Sequence, residues 1–264
     1  VSRVIDGGVL ADAEALGDRF VAFVGPQVGP GWIPAADLFG SGLSDAVATK
    51  REARGAVSDA VAGSLLLAEY CARLSAPVLA VLYRDGAFLD PSLGNVQVLR
   101  RAGVIERLSF LRGPQPCPPG QEAGLASRVA DAFFAGNIDA CLGAVRNQSR
   151  AGLRSLWSNV GMTVGSAMLT LSWSSPDRDR YLDDARAFVA CRPEIGRVVS
   201  FESAEFDGEP WMFTRRDACC LAFRTTVNQT RENPYCSNCS VLELGERITN
   251  FHKAARSFEE GRAR

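Results

Sequence analysis

Apolar positions recur at intervals of three and four most regularly over 150–173. Leu153, Leu156, Trp157, Val160, Val164, Ala167, Met168 and Leu171 form one stripe, which predicts a long amphipathic helix. Gly161 and Gly165 lie four apart on that helix and predict close packing of another element, since the apolar run is too short to span a bilayer. Ser58 reads as the cap of an earlier helix over 59–74, with Val61, Leu65, Tyr70 and Leu74 at helical spacing and Pro77 as its end. The β-branched, apolar run 78–83 then predicts a strand turned by Asp85-Gly86, with 97–99 as its pairing partner. Residues 20–24 predict a short strand, and the Gly- and Pro-rich stretch 29–34 predicts loop. Helices are expected over 123–134, 138–146, 179–190 and 241–258. Strands are expected over 197–201 and 210–215, joined around Asp207-Gly208.

Together these elements predict an α+β protein, predominantly helical, with a few N-terminal strands and a few more before a small C-terminal subdomain. Residues 113–120, Gly-Pro-Gln-Pro-Cys-Pro-Pro-Gly, break helix and strand alike and mark the clearest linker. Three regions follow from that reading: 1–115, mixed α/β and without a motif of its own; 121–200, helical; and 201–264, which carries the chemistry.

Composition narrows the function classes. The chain has 264 residues, 29 basic and 30 acidic, for a net charge of -1. No global basic field is present to hold nucleic acid or an anionic membrane. The one histidine, His252, excludes His-rich and two-histidine metal sites, and reads as a surface or capping residue. The opening residues lack a basic segment followed by an apolar run, and 60–83 is interrupted by Glu69 and Arg73, so the expectation is a cytoplasmic, reducing location without a transmembrane segment. In that compartment disulfides are the wrong default for cysteines, and the sequons at Asn147, Asn228 and Asn238 are read as chance. Neither a Gly-x-Gly-x-x-Gly loop nor a Walker loop is present, so bound nucleotide is not expected.

Four of the eight cysteines fall within 21 residues: Cys219-Cys220, fifteen residues, then Cys236-Ser237-Asn238-Cys239. Four thiolates this close fit a structural zinc site, an iron–sulfur cluster or a thiol–disulfide centre. Adjacent cysteines point opposite ways in a strand and converge on one tetrahedral ion only in a distorted turn. A two-iron cluster is wider and more easily reached by neighbours. Arg215, Arg216, Arg224 and Arg231 flank the cysteines and suit either a cluster's negative charge or an anionic substrate or electron donor. Trp211, just upstream, reads as a core residue of a strand.

The segment Arg215-Arg216-Asp217-Ala218-Cys219-Cys220, with Cys236-Ser237-Asn238-Cys239, resembles the C-terminal motif of FhuF-type ferric siderophore reductases. Leu156-Trp157-Ser158-Asn159-Val160 resembles the Leu-Trp-Gly-Asn-Val/Ala segment of that family, which recurs in aerobactin-type siderophore synthetases. The two matches stand in the family's order and cover about residues 150–240. The resemblance implies that Cys219, Cys220, Cys236 and Cys239 ligate a [2Fe–2S] cluster and that the chain is an oxidoreductase. It further implies one-electron reduction of a ferric siderophore, with electrons from a ferredoxin or a flavoprotein reductase. Arg215, Arg216 and Arg224 are the candidates for substrate or donor contact, and Asn159 for fixing its helix against the cluster region. The fifteen-residue spacing departs from the family's ten, and the extra residues fall in the polar stretch 228–233. Two alternatives stand beside this reading: a zinc-stabilised interaction module, and an iron–sulfur sensor without turnover.

Overall fold

Short strands and turns come first, as the Gly- and Pro-rich start dictates. The computed structural model describes residues 4–5, 9–10 and 14–262, so most of the opening segment read for an export signal lies outside them. Strands β1 (Val4–Ile5), β2 (Val9–Leu10), β3 (Phe23–Val24) and β4 (Trp32–Pro34) precede helices α1 (Ala35–Phe39) and α2 (Leu43–Arg54). Ser58 then starts α3 (Asp59–Tyr83), its hydroxyl accepting a hydrogen bond from the Val61 amide. Strands β5 (Ala87–Phe88), β6 (Val96–Arg101), β7 (Val104–Phe110) and β8 (Gln115–Pro116) follow. Five helices come next: α4 (Leu125–Phe133), α5 (Asp139–Ser149), α6 (Leu153–Trp173), α7 (Arg178–Val189) and α8 (Pro193–Gly196). A hairpin of β9 (Val199–Phe206) and β10 (Glu209–Arg216) leads to α9 (Thr226–Gln229) and the terminal α10 (Leu244–Arg262). The protein is α+β and predominantly helical.

The larger sheet runs β1-β2-β3-β7-β6-β4; β3 and β7 are parallel and the other pairs antiparallel. Helix α3 packs on this sheet through β7 and on α2, α5 and α6. By length and composition α3 is apolar enough to cross a bilayer, but most of it is buried within the molecule. Its two interrupting charges have partners. Glu69 accepts from Lys50 Nζ at 2.6 Å and from the Ile105 amide at 2.9 Å, and Arg73 pairs with Asp18 at 2.8 Å. One main core takes in Phe20, Leu67, Val98, Phe133, Leu156 and Phe201, from all three expected regions. A smaller cluster of Trp173, Phe206, Trp211, Phe213, Phe251 and Ala255 seats α10 on the hairpin. Trp211 is thus a core residue.

Several local expectations change. Residues 78–83 are helix, not strand, because α3 runs through Pro77 to Tyr83. The helix loses the hydrogen bond that residue 77 would donate, a cost that burial of both its faces offsets. The 96–101 strand therefore pairs with β7 and β4. Its turn, Ala102-Gly103, has φ of 46° and 76°, the left-handed pair that a tight hairpin requires. In the 29–34 stretch, Trp32–Pro34 is an edge strand, where proline removes no ladder bond that the sheet needs. In the 20–24 stretch only Phe23–Val24 is strand. Helices α4 and α5 are joined by a π-turn, Phe134–Ile138, whose buried Asn137 donates to Tyr70 Oη and Pro91 O.

On α6, the glycines admit the neighbouring elements. A Cβ on Gly161 would lie 2.6 Å from Ile195 Cγ2, and one on Gly165 2.6 Å from Phe201 Cε1 and 2.7 Å from Thr214 Cγ2. The close approach seats β9–β10 directly on α6, and this places the segment after β10 against the middle of the molecule.

Candidate metal centre

Strand β10 ends at Arg216, and the chain turns irregular through Cys219 and Cys220. Leu221 has φ 68°, a left-handed conformation unusual for a branched side chain. That turn defeats the alternation a strand imposes, and the Cys220 thiol lies in contact with those of both Cys219 and Cys236. Cys236 and Cys239 come from a second tight turn, in which the Cys239 amide donates to Cys236 O at 2.9 Å. Cys239 is buried, Cys236 exposed, and the other two half-buried. Its charge acts on both Cys219 and Cys236, so all four thiols share one neighbourhood. Among the described residues, no three His, Cys, Asp or Glu side chains are close enough to hold a single metal ion as they stand.

The electrostatics single out one sulfur. Hydrogen bonds from Cys219 and Cys236, and then the Arg216 charge and the Ala222 amide, hold Cys220 well below the usual thiol range against the opposing effect of burial. Donating to Cys220, with burial adding to it, pushes Cys219 and Cys236 up. The Leu221 amide also donates to Cys219 Sγ at 3.2 Å. Of these three sulfurs, Cys220 is the one that the surroundings favour as a thiolate. Cys71 and Cys141, by contrast, are core thiols that burial keeps protonated.

Arg216 is 5% exposed and lies beneath this loop. Its Nε donates to Ala218 O at 2.9 Å, and its Nη2 to Ser158 Oγ at 3.0 Å and Asn159 Oδ1 at 2.9 Å. Asn159 in turn donates to Ser64 O and Oγ, and Ser64 Oγ donates to Cys220 O at 3.3 Å. This network ties α3, α6 and the Cys219-Cys220 segment together, with Asn159 as its hub. No carboxylate lies within ion-pair distance of Arg216 among the described residues. A buried guanidinium with only neutral hydrogen-bond partners is stabilised by an anion nearby, and Cys220, whose pKa the Arg216 charge lowers, is the sulfur placed to be that anion.

The other flanking arginines differ. Arg215 pairs with Glu202 at 3.4 Å and Asp217 at 3.6 Å on the half-exposed face of the hairpin. Arg224 is exposed, with its guanidinium over the Phe223 ring and no ion pair among the described residues. Arg231 is exposed as well. His252 stands away from the thiols, its Nε2 2.9 Å from Glu205 O, and links α10 to β9. Asn228 is buried and accepts from Arg54 at 3.0 Å, which is consistent with its sequon being chance.

A cavity of about 330 Å³ opens beside the thiols, with Cys220, Cys236 and Arg216 in its wall. Its other walls bring in Asn238, whose Oδ1 is buried without a hydrogen bond, and Arg19 from the start of the chain. Asn238 was visible within the Cys-x-x-Cys; Arg19 carried no sequence signal, standing 200 positions before Cys219. No protein-family model, curated protein or solved structure matches this chain.

Proposed function

We propose that the chain is a cytoplasmic ferric siderophore reductase holding a [2Fe–2S] cluster on Cys219, Cys220, Cys236 and Cys239. The observation that carries the reading is the buried Arg216 cation, without a carboxylate, beneath four gathered thiols. Two Fe(III), two sulfides and four thiolates sum to a charge of about -2, which this cation offsets. Thiols that are gathered but not closed on one point suit a two-iron core better than a single ion. When bound, such a centre supplies one-electron transfer. The chain's own part is to hold and solvate it. Leu221 and Ala222 direct amides at the sulfurs, Arg216 favours the more negative state, and exposed Cys236 keeps the centre near the surface.

Fe(III) is held by hard oxygen donors and Fe(II) prefers softer ligands, so one electron loosens a siderophore's grip. No general acid or nucleophile is required for that step. Without a nucleotide loop, electrons come from a separate ferredoxin or flavoprotein, for which exposed Arg224 and Arg231 offer an unpaired basic surface to an acidic donor. The Leu221 turn favours a second reading, a zinc-stabilised interaction module, because it lets adjacent cysteines face one point.

Anaerobic absorption and EPR spectra before and after dithionite separate the two. The expected result is a brown protein that bleaches and gives a half-integer-spin signal. It should also reduce a ferric siderophore, with turnover lost in Cys219→Ser and Cys236→Ser. A colourless protein with one tightly held zinc overturns the reductase reading.

A further inference from the structure

Arg19 is far from the cysteines in sequence, yet it lines the same cavity. Its Nη1 donates to Ser166 Oγ, and its Nη2 to Thr170 Oγ1 and, at 2.9 Å, to Ser166 O, all on α6. The ring of Phe20 lies 5.4 Å from its guanidinium carbon. These contacts aim the guanidinium and leave its charge uncompensated, for no carboxylate pairs with it among the described residues. Three of its five N–H groups are used, which leaves Nε and one Nη1 proton. On Arg216, Nη1 has no hydrogen-bond partner among the described residues. Between them the wall is apolar, formed by Leu65, Ala68, Ala72 and Met162.

Arg216 is engaged by the sulfurs, so Arg19 is the cation at this cavity left without an anion among the described residues, and it calls for a negatively charged occupant. The apolar wall disfavours a small hydrated ion and suits an organic body. Asn238 Oδ1, an orphaned acceptor, suits a hydroxyl or N–H beside the charged group. We infer that this cavity binds the carboxylate-bearing edge of an anionic ferric chelate, with Arg19 as its primary contact. The inference rests on the reductase reading and deepens it: the preferred substrates are carboxylate-type chelates, and neutral or cationic hydroxamate chelates are disfavoured. It also gives the N-terminal region a role, since that region delivers Arg19.

Gallium(III) chelates test the cavity without electron transfer, because gallium has no accessible lower state. Calorimetric titration of the purified full chain uses three ligands: the anionic gallium(III)–citrate complex, citrate alone, and the cationic gallium(III) complex of a linear trihydroxamate. The anionic complex should bind best, and more weakly as salt rises. Arg19→Gln should weaken it at least about tenfold, with partial recovery in Arg19→Lys. Ala68→Phe, which fills the cavity and leaves both arginines in place, should cause a similar loss. Three results overturn the inference: unchanged binding in a folded Arg19→Gln variant, preference for the cationic complex, or citrate alone binding as tightly as its gallium complex. A colourless protein that still binds the gallium–citrate complex would defeat the reductase reading and leave the cavity assignment standing.

Discussion

Arg216 is the residue on which the site's chemistry turns. Its charge is buried, its hydrogen-bond partners are neutral, no carboxylate pairs with it among the described residues, and it acts on the Cys220 sulfur. At an effective dielectric near 20, a unit charge several ångströms from a one-electron centre is worth about 2 kcal/mol, or roughly 90 mV. If the chain holds the proposed cluster, Arg216→Gln should lower its reduction potential by about 50–100 mV in an anaerobic redox titration. Arg215→Gln should shift it far less, because Glu202 and Asp217 already neutralise that guanidinium. Equal shifts would show that the two arginines act only through net charge. The paired arginines look equivalent in sequence; alternation along β10, which buries Arg216 and leaves Arg215 half-exposed, makes them different.

Helix α6 sets where the cysteine loop sits, through the glycines that let the β9–β10 hairpin approach it. Gly165→Ala puts a methyl 2.6 Å from the Phe201 ring and should cost about 1–3 kcal/mol, seen as a Tm lowered by several degrees. Gly143→Ala on α5 is the control. Nothing stands within 4 Å of its new methyl, and the substitution should stabilise by about 0.5–1 kcal/mol. A Gly165→Ala protein as stable as the parent would mean that the hairpin rides on α6 more loosely than its packing implies. These glycines, the hairpin and the cysteine group were legible in the sequence because each rests on local spacing. The 78–83 segment was not. A short apolar run after a proline reads as a strand, and only burial on both faces, a tertiary property, keeps it helical. Strand β7 escaped notice because Glu106, Arg107 and Ser109 dilute its apolar pattern. Arg19 joins the cavity through long-range packing on α6, which no local pattern encodes.

At the scale of the whole molecule, the short turn Asp18–Phe20 is clamped to the centre. Asp18 pairs with Arg73 on α3 at 2.8 Å and with Arg107 on β7 at 2.6 Å. The hydrogen bond from Arg73, then that from Arg107, holds its carboxyl below the usual carboxylate range against a small opposing effect of burial. A group depressed in the folded state contributes stability that is present above its unfolded value, about 3.9, and lost as pH falls through the lower folded value. Thermal unfolding followed from pH 6 downward should therefore show a shallower acid limb in Asp18→Asn than in the parent, with little difference in limb slope above about pH 5. Identical acid limbs would mean that the clamp contributes nothing to folding.

The order of residues along the chain also sets the order in which the site's parts are made. Arg19 is made before Cys236, Cys239 and the helix that seats on the hairpin. Ser64 and Asn159, which tether the cysteine segment, emerge between them. The α6 groups that hold Arg19, on Ser166 and Thr170, are thus made before any of the four sulfurs. Under the proposed ligand set, a metal delivered during translation would find the set incomplete until Cys239 has been made, after every other residue of the site.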